Sequence, residues 1–144
     1  MSFLDKFRKQ SPDPDPPPFT YEHTFQMALA AMKQGHKAAA RELLKRVADG
    51  VPQDRESCHA LGVSYFGEDD AEAVKWFAKV LQRSEENDEL RAHTLAFLTQ
   101  CFLKMGDRKQ AVTCLRGLHV LRPKIAEELG RNSWSAEWVN SIMA

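Results

Sequence analysis

The sequence has no stretch of the roughly 18 to 20 apolar residues that a transmembrane helix requires, so no integral membrane segment is expected. It also has no net charge. Twenty basic and twenty acidic side chains cancel over 144 residues, which removes the global positive field needed to bind nucleic-acid phosphates. Cysteine is scarce and unpaired: Cys58, Cys101 and Cys114 form an odd set without CxxC spacing. No HxxxH unit stands beside them, so neither a disulfide framework nor a metal site is indicated. They read as reduced, mostly buried thiols of a cytoplasmic protein. The first ten residues, MSFLDKFRKQ, mix charges with hydrophobes and offer no apolar core or small-residue cleavage site, so no secretory signal is expected there. Catalytic signatures are missing as well. There is no GxSxG, no phosphate-binding glycine loop and no HExxH, and the five histidines are dispersed, so neither an enzyme nor a cofactor is expected. The cluster Glu68, Asp69, Asp70 and Glu72 lacks the spacing of a calcium loop and reads as a helix start, where carboxylates meet the positive end of the dipole.

Proline is nearly absent outside one segment. Five of the seven prolines fall in residues 11 to 18, SPDPDPPP, where each holds its own and the preceding residue extended. This predicts a semi-rigid polyproline-like spacer reaching roughly 3 Å per residue. Before it, Phe3, Leu4 and Phe7 are interleaved with Lys6, Arg8 and Lys9. Residues 1–19 are therefore expected to be a flexible amphipathic and proline-rich arm, with the folded part starting near residue 20.

From there the apolar residues follow a helical period. In 95–123, Leu95, Leu98, Phe102 and Met105 recur every three or four positions, Gly106-Asp107 interrupts, and Ala111, Leu115, Leu118 and Leu121 resume the same spacing. That pattern is a helical hairpin. The hairpin is repeated. Gly35, Ala40, Leu44, Val47 and Pro52 stand at relative positions 0, 5, 9, 12 and 17, and Gly106, Ala111, Leu115, Leu118 and Pro123 stand at the same positions. A middle unit has Leu61, Gly62 and Tyr65 in its first helix and Ala73, Phe77 and Val80 in its second, with a turn about one residue short and a longer acidic exit. A period near 34 residues, stretched once to about 37, is the signature of a helical solenoid.

Leu61-Gly62-xx-Tyr65, Ala73-xxx-Phe77-xx-Val80 and the ladder from Gly106 to Pro123 resemble tetratricopeptide repeats, over about residues 21 to 123. Thr24 stands where that family often carries tryptophan and Thr99 where it usually has glycine or alanine. The expected fold is an all-α, right-handed α-solenoid of three tetratricopeptide-like hairpins, about 21–54, 55–87 and 88–123, followed by C-terminal capping helices in 124–144. The resemblance implies that the first helix of each pair lines a concave groove. It assigns to that groove Phe25, Leu29 and Met32, then His59, Val63 and Phe66, then His93, Ala96, Gln100 and Leu103. Phe66 is expected to act as an anchor for the ligand. The family's basic, asparagine-rich clamp for the terminal carboxylate of heat-shock chaperone tails has no counterpart, because Phe25, Leu29 and Val63 occupy the corresponding places.

A mostly apolar groove punctuated by His59, His93 and Gln100 suits an extended or short helical peptide with hydrophobic anchors. The expected function is a non-enzymatic protein-interaction module or adaptor, or a chaperone-like protein. Its partner would be a peptide segment of another protein, such as a secretion substrate or a complex subunit. Within that class the length, three repeats and apolar groove resemble the small bacterial chaperones that hold type III secretion proteins. Residues 1–19, carrying Phe3, Leu4, Phe7 and Phe19, are expected either to occlude the groove of the same molecule or to serve as a separate docking tail. Lys37, Arg41 and Lys45 form a basic stripe that reads as a solvated outer face or a contact for an anionic partner. Beyond Pro123, a short helix through Ile125, Ala126 and Leu129 is expected to end at Gly130. A last helix would carry Trp134, Trp138, Val139, Ile142 and Met143 on one stripe. That stripe covers the end of the solenoid or, in the alternative reading, Trp134, Trp138 and Ile142 make an oligomer contact and the protein is a structural subunit.

Overall fold

Small side chains decide where the helices of this protein can meet. The structure, a computed structural model, describes residues 20–83 and 89–133. Among these residues lie seven α-helices and no strand. They are α1 (Tyr21–Lys33), α2 (Lys37–Gly50), α3 (Arg55–Tyr65), α4 (Asp70–Arg83), α5 (Glu89–Lys104), α6 (Arg108–Leu121) and α7 (Pro123–Ser133). Each helix packs on its neighbours in the chain, most extensively within the pairs α1–α2, α3–α4 and α5–α6, and α3 also touches α5. Ala28 and Ala40 are fully buried in the first pair, Gly62 and Ala73 are buried in the second, and Thr99 and Ala111 are fully buried in the third. A small residue lets two helix backbones approach closely. Thr99 fits because its hydroxyl donates back to the Leu95 carbonyl of its own helix (2.8 Å), which satisfies the polar atom without a partner elsewhere.

The helix boundaries follow from local chemistry. Thr20, Asp54, Asp69 and Asp107 each accept a bond from the backbone N–H three residues on, all at 3.1 Å, satisfying one of the donors a helix start leaves unpaired. The first and third turns are alike. Gly35 and Gly106 have φ of 81° and 79°, and the following N–H groups of His36 and Asp107 bond back to Ala31 and Phe102 (2.9 and 2.8 Å). This is a Schellman-type ending that favours glycine. The middle turn differs. Helix α3 has only 11 residues, against 13 in α1 and 16 in α5, and Phe66 leaves it in an extended conformation before Gly67. The turn expected to be about one residue short is instead one residue longer, 66–69 against 34–36 and 105–107 in the other pairs; the shortening lies in the helix, which ends early at Tyr65. Pro123 is the first residue of α7 rather than only a stop for α6, a position where its missing N–H costs nothing. The expected end at Gly130 is not observed; α7 runs on to Ser133 with Gly130 buried. Packing outweighs the weak helix propensity of one glycine.

The apolar residues of the repeat ladder fill the core. Leu44, Phe77, Val80, Leu115 and Leu118 are fully buried and Val47 is nearly so. The core has two clusters. One joins Ala28, Leu44, Ala48, Cys58, Ala60, Leu61 and Val80. The other is built on Phe77, Leu95, Leu98, Leu115, Leu118 and Ala126. Tyr65 packs against both. The basic stripe is engaged between units rather than simply solvated. Lys37 Nζ lies 3.2 Å from Glu68 Oε1, and the Arg41 guanidinium reaches Glu68 and the Ser64 carbonyl. Its plane sits 4.1 Å over the Tyr65 ring. These contacts tie α2 to the end of α3, and the hydrogen bond from Arg41 holds the Glu68 carboxyl below its usual range, aided by Lys37. Because Glu68 is exposed, the pair fixes geometry more than it adds stability.

Gly62 sits against the Phe77 ring, and a Cβ there would lie 2.5 Å from the nearest ring carbon. Gly62→Ala should lower stability by about 1–3 kcal/mol through overpacking, despite the roughly 1 kcal/mol gain in helix propensity. Urea unfolding of Gly62→Ala alone and combined with Phe77→Leu measures this. The penalty should shrink in the double variant, and an unchanged penalty would show that the ring is not the cause.

Candidate peptide-binding face

The first helices of the three pairs present residues at one common spacing. In α5 the expected groove residues His93, Ala96, Gln100 and Leu103 are separated by three, four and three positions. The same spacing gives Phe25, Leu29 and Met32 in α1, with Glu22 before them. In the second unit it gives His59, Val63 and Phe66, with Glu56 before them. Of the ten expected residues, His93 is exposed and the other nine are half-buried. The core positions between them, such as Thr24, Ala28, Cys58, Leu61, Leu95 and Leu98, are buried. The pattern follows from helix geometry: one stripe serves the core and an adjacent stripe keeps access to solvent.

Between the second and third units the face is closed by rings. Phe97 of α5 stacks on Phe77 at 5.4 Å between centroids and meets Phe66 edge-on at 5.1 Å. The Lys104 ammonium lies 4.4 Å over the Phe66 ring. Phe66 is thus an intramolecular contact as well as an expected anchor. His59 also turns inward. Its Nδ1 is 2.9 Å from Thr94 Oγ1, and its ring lies 5.5 Å from Phe77 and 5.7 Å from Phe97. Burial, and secondarily His93, push the His59 imidazole down to about 4. His93 itself faces outward, with Nε2 3.7 Å from Glu89 Oε1. The Gln100 amide donates to the Ala96 carbonyl at 3.4 Å.

Between the first and second units the face is open. A cavity of about 310 Å³ lies among Tyr21, Glu22, Phe25 and Gln26 of α1, Val47 and Val51 at the end of α2, and Asp54 and Glu56 at the start of α3. Of the expected residues only Phe25 lines it. Glu22 and Glu56 were legible, because the offset that selects His93 in the third unit falls on them in the other two. Val47 and Val51 carried no such signal, since they belong to a second helix. Trp134, Trp138 and Ile142, and the arm 1–19, lie outside the described residues. No group of three or more His, Cys, Asp or Glu among the described residues is placed to hold a metal ion. None of their helices is long and apolar enough to cross a membrane. Cys58, Cys101 and Cys114 are buried and free, and burial pushes the Cys101 and Cys114 thiols up to about 11, which suppresses their reactivity.

Three comparisons bear on this geometry. A family profile described as tetratricopeptide repeat matches residues 25–54. The solved structure titled "MamA MSR-1 C2" superposes with a TM-score of 0.67 at 21% sequence identity, covering 94% of this chain and 78% of that one. No curated protein matches the sequence. The fold is thus an all-α helical solenoid, and the chain is a tetratricopeptide-like helical repeat protein. Stacks of this kind offer extended surfaces for binding other proteins.

The half-buried His59 makes stability depend on pH. Its folded value of about 4 lies below the ordinary 6.5. Between these values the unfolded chain takes up a proton that the folded protein refuses, so stability present above pH 6.5 is lost as the pH falls towards 4. Urea unfolding should show about 2 kcal/mol more loss between pH 7 and pH 5 in the natural protein than in His59→Gln. Parallel curves would mean that His59 is not held neutral.

Proposed function

We propose that the protein is a non-enzymatic interaction module that holds a peptide segment of another protein along the first helices of its three repeats. The observation that carries this reading is the shared spacing of accessible, mostly apolar residues on α1, α3 and α5, set beside core stripes that are fully used. A ligand laid across the three helices would bury side chains such as Phe25, Leu29 and Leu103 against its own apolar anchors. The open cavity beside Phe25 accepts one side chain of the ligand, and the exposed His93 offers it a polar contact. The match to a tetratricopeptide repeat supports the same class, since that family is typically a scaffold for protein contacts. A chaperone-like or adaptor role would follow from which segment is held.

A second reading, a structural subunit, is favoured by the apolar residues exposed at the other end of the stack. Val120 on α6 is 81% exposed and Ile125 on α7 is 43% exposed. They flank the corner at Arg122 and would join Trp134, Trp138 and Ile142 in a contact between subunits.

The two readings separate by experiment. A protein recovered from native lysate should be purified and its affinity measured for the natural chain and for Leu29→Ala and Leu103→Ala. Each substitution should weaken binding by about 2 kcal/mol with the melting temperature unchanged. Undiminished affinity in both variants would refute the groove. Light scattering that showed an obligate oligomer, reduced to monomer by Val120→Glu, would instead favour the subunit.

A further inference from the structure

The cavity between the first two units differs in character from the rest of the accessible face. Tyr21, Phe25, Val47 and Val51 give it apolar walls, and Glu22, Asp54 and Glu56 add carboxylates, with no basic side chain in the lining. Asp54 spends its side chain on capping α3. Glu22 and Glu56 have no ion-pair partner among the described residues. Two carboxylates without an ion-pair partner among the described residues, beside an apolar hollow, call for a ligand of one kind: an aromatic or aliphatic side chain flanked by cations.

The chain itself contains such a segment. Phe3-Leu4-Asp5-Lys6-Phe7-Arg8-Lys9 has three apolar side chains and three cations against one carboxylate. Its connection leads directly to the cavity, because α1 begins at Tyr21, one of the wall residues. The intervening residues 10–20 reach about 30 Å at polyproline spacing, more than the mouth of an adjacent cavity requires. The Ser11-Pro12, Asp13-Pro14 and Asp15-Pro16 steps favour turns, so the spacer is able to double back. A tether this short supplies its ligand at an effective concentration in the millimolar range, enough for a weak contact to be occupied most of the time.

We propose that residues 3 to 9 dock in the cavity of their own molecule, with an aromatic side chain between Phe25 and Val51 and the cations Lys6, Arg8 and Lys9 facing Glu22 and Glu56. The docked segment covers the first-unit end of the peptide-binding face, so an outside ligand must displace it there. That last consequence rests on the function proposed above; the docking itself does not.

Disulfide trapping in the full chain tests the contact. Ser2→Cys with Gln26→Cys leaves every proposed contact residue in place, and the natural cysteines stay buried. Mild oxidation should give a monomeric, internally cross-linked product. It should form about tenfold faster than with Ser2→Cys and Thr113→Cys, a pair whose second member lies in the third unit. Adding Glu22→Lys and Glu56→Lys should slow it at least fivefold, as should high salt, which screens the charges (about 3 Å Debye length at 1 M). Equal rates for the two pairs, or a product that is mainly dimer, would overturn the proposal. The readout is independent of any partner. Cross-linking in a protein that captures no peptide even when Phe3→Ser and Phe7→Ser release the segment would keep the docking and refute the peptide-binding function, and capture without preferential cross-linking would do the reverse.

Discussion

Two helices can share a buried face only as closely as their bulkiest contact allows, and in this protein that limit is set at a few positions. Gly62 against Phe77, and the buried alanines Ala28, Ala40, Ala73 and Ala111, fix how near the members of each pair approach. Once the pairs are that close, Leu44, Val80, Leu115 and Leu118 fall between them and are wholly removed from water. Packing density is the reason the constraint propagates: an interior without voids transmits a displaced ring to its neighbours. The same constraint decides what remains outside. With one stripe of α1, α3 and α5 committed to the close contacts, the residues next to it at the same recurring spacing are left with solvent access.

The solenoid was legible because its period is written in residues that cannot be exchanged freely, the turn glycines and the small contact residues. Glycines Gly35 and Gly106 hold the left-handed conformation in equivalent turns, and the matched ladders after them are the buried ones. Finer features were less legible for physical reasons. Gly130 looks like a helix end in isolation, but its burial under tertiary contacts overrides propensity. Lys37 and Arg41 look like a solvated face along one helix, and only the fold brings Glu68 and Tyr65 to them. The cavity combines residues of three helices, so no single periodic pattern announces it. Glu22 and Glu56 are the exception, carried by the offset that also selects His93.

Polar contacts between units are few and specific. Arg41 reaches the end of α3, the Arg91 guanidinium donates to the Leu81 carbonyl at the end of α4, and the hydrogen bond between His59 and Thr94 joins α3 to α5. Exposed ion pairs of the first kind contribute little free energy. The His59 contact is different because its half-buried ring packs against Phe77 and Phe97, where an added charge is poorly solvated. The third unit is therefore joined to the second by a contact sensitive to protonation, whereas the first is joined by contacts sensitive to salt.

The two apolar clusters overlap at Tyr65, which packs against both and receives Arg41 over its ring. In a linear stack each unit is stabilised by its nearest neighbours, so cooperativity is weakest where those neighbours share least. The first cluster is shared by the first and second units, so a partial opening of the first unit would have to break the contacts of Ala28, Leu44 and Ala48 with Cys58, Leu61 and Val80. Such an opening would separate α1 from the start of α3 and so alter the width of the cavity between them. The breathing of this joint, with Tyr65 as its pivot, would set how quickly anything seated there enters and leaves.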